Sequence, residues 1–124
     1  YFNSEDYFTK LTISKFRIVF TRFRLGMNVL KTNQRYKTVD YTCSCGKSIE
    51  NEVHFLFVCS HYVDLRNKYL QKHIQFKNCG NAVLLRFILS SKNVEIVRDT
   101  AMYIFYALKL REELFEKSEN GIEM

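Results

Sequence analysis

Within one short stretch the chain places three cysteines and a histidine, in the order Cys43, one residue, Cys45, eight residues, His54, four residues, Cys59. Zinc prefers nitrogen and sulfur ligands in a tetrahedron. Three thiolates with one imidazole close that shell and leave no open position for a substrate, which argues against zinc catalysis. Gly46, directly after the second cysteine, lets the backbone turn tightly enough for its amides to face the sulfurs. Paired disulfides are the competing use of four cysteines. No basic, apolar, small-residue order of a signal peptide follows Tyr1, however, and Cys43 and Cys45 are only one residue apart, so bound metal in a reducing compartment is the better account. The expected location is intracellular, nuclear or cytoplasmic. Cys79 stands apart from the cluster and is read as a small core residue or a free thiol.

The spacing also constrains the backbone. A step of five residues along an α-helix is a rotation of about 500°, or about 140° beyond a full turn. His54 and Cys59 therefore cannot face one ion from an unbroken α-helix. The pattern predicts a short helix from about Asn51 to Phe57, Cys59 in a bend, and a second helix with Ser60 as its cap. His61, two residues past Cys59, is the weaker alternative to His54 as a ligand.

The remainder reads as helix. Proline is absent and glycine occurs four times, so little interrupts long helical runs, and the expected fold class is mainly α. The architecture is a small helical domain around one CCHC zinc knuckle, with room for a short β-hairpin at the first two cysteines. From Tyr7 to Leu30, Phe8, Leu11, Lys15, Ile18 or Val19, Arg22, Leu25 and Val29 follow the helical period, with Phe16, Phe20 and Phe23 on an adjacent stripe expected to be buried and a break expected near Gly26. Residues 32–42 lose that period and alternate weakly at Tyr36, Val39 and Tyr41. After the cluster, Tyr62, Leu65, Tyr69, Lys72 and Ile74 suggest one helix, and Asn78 to Asn81 a turn. Val83, Leu84, Phe87 and Ile88 mark the apolar face of another, and Ser90 to Asn93 a separator. In the last helix Val94, Val97, Ala101, Ile104, Phe105, Leu108 and Phe115 share a stripe that reads as core. The 124 residues fit one domain: a basic helix and arm (1–42), the zinc site (43–59), helices (60–117) and a polar tail (118–124). The first residue is not methionine, and the chain is expected to be a C-terminal piece of a longer polypeptide.

Charge is unevenly spread. Residues 1–48 carry nine basic against three acidic side chains, while residues 49–124 are balanced, so the whole net charge of +6 lies in the first segment. Polyanion binding would map there, with Lys15, Arg22, Arg24, Lys31, Arg35 and Lys37 as candidate contacts. A solvated helix face carrying charge for solubility is the plainer alternative. Tyr36 and Tyr41 are candidates to stack on unpaired bases, which would favour single strands. No apolar run is long enough to span a membrane. Phosphate loops, serine-nucleophile motifs and zincin motifs are absent, as is any pair of adjacent aspartates. Asp64, Glu95 and Asp99 are the only carboxylates considered for a metal-dependent nuclease, and helix-face charges explain them as well.

A family resemblance rests on four runs: Lys15-Phe16-Arg17 through Arg22-Phe23-Arg24-Leu25, Cys43-Ser44-Cys45-Gly46, Ile49 through Cys59 with its Glu50-x-Glu52-x-His54-Phe55-Leu56 core, and His61 through Arg66. Together they resemble the zinc-binding region at the C-terminal end of reverse transcriptases of non-LTR (LINE-like) retrotransposons and their invertebrate relatives. The helices beyond residue 66 resemble it only in general pattern. The resemblance implies Cys43, Cys45, His54 and Cys59 as ligands of one Zn2+. It also implies a non-catalytic appendage that helps an upstream polymerase domain hold RNA or DNA. A protein-interaction or oligomerisation module derived from a mobile element is the alternative.

Overall fold

The computed structural model describes residues 14–30, 32, 41–75 and 77–123. The expectations placed on Phe8, Leu11, Lys31, Arg35, Tyr36, Lys37 and Val39 lie outside these residues. The fold is mainly α, as expected. In chain order it comprises α1 (Ser14–Arg24), a π-helical turn (His54–Val58), a 3-10 turn (Ser60–Tyr62), α2 (Val63–Tyr69), α3 (Gln71–Ile74), α4 (Asn81–Ser90) and α5 (Val94–Glu123).

α1 and α5 make the most extensive helix contact among the described elements. Phe16, Phe20 and Phe23, spaced to lie on one side of α1, are all buried. Phe16 meets Phe105 edge-on at 4.9 Å, and Phe23 lies 5.7 Å from Phe55 of the π-turn. Burying each ring contributes roughly 1.5–3 kcal/mol. The aromatic stripe is thus the core face, whereas Ile18, Leu25 and Val29 of the other expected stripe are exposed.

α1 does not run to Leu30; it stops at Arg24 in a Schellman arrangement. Gly26, at φ 74, donates its N–H to Phe23, and Met27 donates to Arg22. Only glycine takes this left-handed position at no steric cost, so the residue expected to break the helix ends it. Beyond it, Asn28 accepts the Leu30 amide and donates to Glu52 at 3.2 Å, which ties the buried Leu30 to the turn carrying His54.

α5 is capped by Asn93, whose side-chain oxygen accepts the amides of Glu95 and Ile96. Ala101, Tyr103, Ile104 and Ala107 are buried, while Val94, expected in the core stripe, is 63% exposed because it sits in the first turn, beyond the packed length. On α4 the core face is Leu84 and Ile88 with Leu85 and Leu89 packed beside them, and Val83, assigned to that face from sequence, points outward. Cys79 is exposed in the turn before α4, which removes it from the core and leaves it a free thiol. No strand occurs among the described residues. The expected hairpin is reduced to one antiparallel bridge between Thr42 and Ile49, flanked by the bonds from Cys43 N–H to Ser48 and from Glu50 N–H to Tyr41.

Candidate metal centre

The bridge between Thr42 and Ile49 holds a tight loop bearing Cys43 and Cys45. Gly46, at φ 80, donates its amide to the Cys43 carbonyl at 2.8 Å and so folds the loop back on itself. The second half begins at Asn51, whose side-chain oxygen accepts the His54 amide at 2.9 Å and starts the helix. That helix then widens where an α-helix would have kept winding. The Cys59 amide reaches back five residues to the His54 carbonyl at 2.8 Å, and Cys59 itself is extended (φ −60, ψ 130). A π-turn winds more residues per turn than an α-helix, which reduces the angular mismatch between His54 and Cys59, and the extended Cys59 supplies the rest. The expected interruption between them is therefore a widening followed by an extended residue. Ser60 does not cap the next helix. Cys59 occupies the position before the 3-10 turn, and no side chain caps it.

These two halves bring one ligand atom each from Cys43, Cys45, His54 and Cys59 within 4.8 Å of one another. The Sγ atoms of Cys43 and Cys59 are 3.7 Å apart, and Cys45 Sγ is 3.3 Å from His54 Nε2. A disulfide would hold the sulfurs at about 2.05 Å. The edges of a zinc tetrahedron built from Zn–S of about 2.3 Å and Zn–N of about 2.0 Å are instead about 3.8 Å between sulfurs and about 3.5 Å between sulfur and nitrogen. The donor set and its spacing fit a tetrahedral metal.

The backbone supports the same use. The backbone at Cys45, Lys47 and His61 acts on the sulfur two residues earlier, on Cys43, Cys45 and Cys59, in the sense that lowers its pKa. This favours thiolates, but burial opposes it. It raises Cys43 and pushes Cys59 up to about 12, with neighbouring Cys43 adding to the second shift. Burial also acts on Cys45, yet there the Lys47 backbone, the adjacent thiols and the Lys47 charge prevail and lower it. His54 is lowered by burial, with Glu50 opposing and Arg66 assisting. Three thiolates this close need a cation between them, and a divalent ion would leave the group with one net negative charge.

Side chains from α2 and α5 secure the turn. Arg66, buried, donates to the carbonyls of Leu56 and Cys59 at 2.8 Å each, and the Tyr103 hydroxyl donates to the Phe55 carbonyl. The widened turn takes the Phe55 and Leu56 carbonyls out of the α-helical pattern, and the side chains satisfy them; the Cys59 carbonyl also accepts the Tyr62 amide at 3.4 Å. Glu50, also buried, forms a two-pronged bond with Arg111 at 2.8 Å on both arms, joining the cysteine loop to α5. The Glu50-x-Glu52-x-His54-Phe55-Leu56 motif thus resolves into distinct tasks: an ion pair to α5, a bond to Asn28, a donor to the cluster, and two buried core side chains. Asn51, Arg66, Tyr103 and Arg111 were not singled out from sequence as site residues. The Asn51 cap was signalled by its place three residues before His54, whereas the other three contacts depend on the tertiary fold.

His61 is not part of the cluster; its Nε2 is 3.1 Å from the Ser44 hydroxyl. Asp99 bonds His73 at 2.8 Å and Lys72 at 3.1 Å, and Glu95 lies 3.9 Å from the same lysine. Asp64, in the first turn of α2, joins neither, so the three carboxylates form no metal-binding group among the described residues. Of the candidate nucleic-acid contacts, Lys15, Arg22 and Arg24 are exposed on α1, Arg24 donating to the Leu89 carbonyl at 3.3 Å. Arg17 and Arg22 flank an open hollow of about 420 Å³ with Ile18 and Thr21. Comparison with protein-family models, with curated proteins and with solved structures finds no match.

Proposed function

We propose that this chain is a non-catalytic module in which one Zn2+, held by Cys43, Cys45, His54 and Cys59, fixes a basic segment for binding RNA or DNA. The closed donor set carries the reading: four buried or half-buried ligands, all satisfied by one tetrahedral ion, leave no coordination position for a substrate. The ion pair between Glu50 and Arg111 joins the cysteine loop to α5, and α1 lies on the same helix with Lys15, Arg17, Arg22 and Arg24 in solvent. By resemblance, the module serves as an accessory part of a retroelement reverse transcriptase and works beside an upstream polymerase domain.

A labelled single-stranded oligonucleotide titrated at several salt concentrations tests this. Each phosphate contact should contribute about −0.7 to the slope of log affinity against log salt. A variant with Arg22, Arg24, Arg35 and Lys37 replaced by glutamine should bind more weakly and with a shallower slope. A second reading, a protein-interaction or oligomerisation surface, is favoured by one observation. Ile18, Leu25, Met27 and Val29 are all at least half exposed beside the same arginines. Equal affinity of variant and parent, or no binding at low salt, would move the assignment to that surface.

A further inference from the structure

The cleft between α2 and α5 has a chemistry that neither the cysteine cluster nor the outer face of α1 uses. It holds about 620 Å³ and is lined by Leu65, Tyr69, Tyr106 and Leu110, with Lys68 and Lys109 on its walls. That volume is in the range of clefts that accept a small organic ligand, so it has room for a base and its sugar but not for a double helix. Tyr69 and Tyr106 stand almost parallel, 11° between planes and 6.2 Å between centroids. Tyr106 is 37% exposed, yet is held in place by Phe105 at 5.3 Å and Phe16 at 5.9 Å. A ring that is both fixed and open on one side loses little entropy on stacking with a ligand.

Three lysines hold their ammonium groups beside these rings. Lys68 Nζ is 5.3 Å from the Tyr69 ring, and Lys15 and Lys109 approach the Phe105 ring at 5.0 and 5.3 Å. Among the described residues no carboxylate lies within ion-pair distance of any of the three. Aromatic faces between uncompensated cations suit a strand whose bases are unpaired: the rings stack on bases and the ammonium groups meet phosphates. The charge also has a direction. Glu113 closes the cleft, and an adjoining hollow is lined by Lys109 together with Glu112, Glu113 and Glu116, a net acidic end that turns a phosphodiester chain away.

We infer that the cleft between α2 and α5 is a stacking site for an unpaired base of single-stranded nucleic acid, with Tyr106 as the stacking ring and Lys15, Lys68 and Lys109 as phosphate contacts. The inference rests on the nucleic-acid reading above and moves the base contact away from the tyrosines near the cysteine loop. The full chain, with one equivalent of Zn2+, is titrated with labelled single-stranded oligouridylate and with a matched duplex across a range of salt. The chain contains no tryptophan, so tyrosine emission can be followed, and the part of its quenching that is lost in Tyr106→Leu reports stacking on that ring.

Tyr106→Leu should weaken single-strand binding about tenfold or more and leave duplex binding unchanged. Lys68→Gln with Lys109→Gln should flatten the salt slope by about 0.7 per lysine. Glu113→Gln should tighten binding, an effect that misfolding cannot imitate. If the parent chain binds the strand but Tyr106→Leu, the double lysine variant and Glu113→Gln all match it, the cleft is overturned while the α1 surface stands. No binding by the parent chain at low salt overturns both.

Discussion

The segment that carries the cysteine–histidine cluster, residues 41–66, and the packed pair α4 and α5 lie in one chain but are held together differently. α4 contacts α5 and buries Leu84 and Ile88, with Leu85 and Leu89 packed against the core cluster that includes Ala101, Ile104 and Ala107, an ordinary apolar face whose strength is proportional to area. The cluster segment contains a β-bridge of one residue pair and a π-turn of five residues. Its order depends on directional contacts: backbone to sulfurs, Arg66 and Tyr103 to carbonyls, and Glu50 to Arg111. Area-based packing tolerates a lost atom in proportion to its size. A directional cluster fails together when its central ion leaves.

The largest expected effect follows from that difference. Removing zinc with a chelator, or replacing Cys45 by serine or His54 by alanine, should abolish metal binding, and structural zinc sites contribute on the order of 10 kcal/mol to folding. Hydrogen exchange should then show loss of protection across residues 43–66, while amides of α4 and the middle of α5 stay protected. Uniform loss across both regions would show that the helical pair has no independent stability and would erase the distinction. Next in size, Ile88→Ala should cost about 2–5 kcal/mol by thermal or denaturant melting while the metal content stays at its parent value. A fall in metal content with Ile88→Ala would mean that the two regions are coupled more tightly than their contacts imply.

Tyr103→Phe should cost about 1–2 kcal/mol, because it strands the buried Phe55 carbonyl at the widened turn. Metal affinity should fall with it, which distinguishes this change from an equal loss placed in α4. The pH profile of the metal-free chain should separate the regions with the smallest perturbation. Cys59 is raised from its ordinary 9.0 to about 12, and Tyr62 and Tyr103 are raised by burial too, so the folded state keeps these protons longer than the unfolded chain. Stability should therefore decline as pH rises above about 9. His54 is lowered from 6.5, so the unfolded chain takes up that proton first and stability should decline as pH falls below about 6.5. Metal-loaded protein, whose thiolates are already ionised, should lose the cysteine part of the alkaline decline and keep the tyrosine part. Identical profiles with and without metal would contradict the assignment of these groups to the centre.

What could be read from sequence divides along the same line. Helical periodicity located α4 and α5, and the ligand spacing picked out the four donors, because both are short-range patterns. On α4, Leu84 and Ile88 are buried as expected and only Val83 was misplaced, since Val83 and Leu85 are equally apolar and only tertiary contact decides which is covered. The end of α1 was misjudged because a glycine that can interrupt a helix can also terminate it in a Schellman motif, and the Met27 bond to Arg22 is invisible before the chain folds back. The angular argument at His54 and Cys59 correctly required the helix to end between them, which it does at Val58, but could not show that its last turn is a π-turn. Tyr103 and Arg111 escaped notice because their partners lie 48 and 61 residues away, and Arg66, close in sequence to Leu56 and Cys59, because only the widened turn exposes those carbonyls to it.

Metal stoichiometry and ligand chemistry test the central claim most directly. The chain, purified under reducing conditions and dialysed against a weak chelator, is analysed for zinc and then exchanged with Co2+. One zinc per chain is expected, with the intense visible bands of tetrahedral Co2+ and a near-ultraviolet thiolate charge-transfer band of three-sulfur intensity. Both should be lost in His54→Ala or Cys59→Ser and retained in Cys79→Ser, whose side chain is exposed and outside the cluster. A folded, fully reduced chain that carries no zinc and gives no tetrahedral cobalt spectrum would contradict the account.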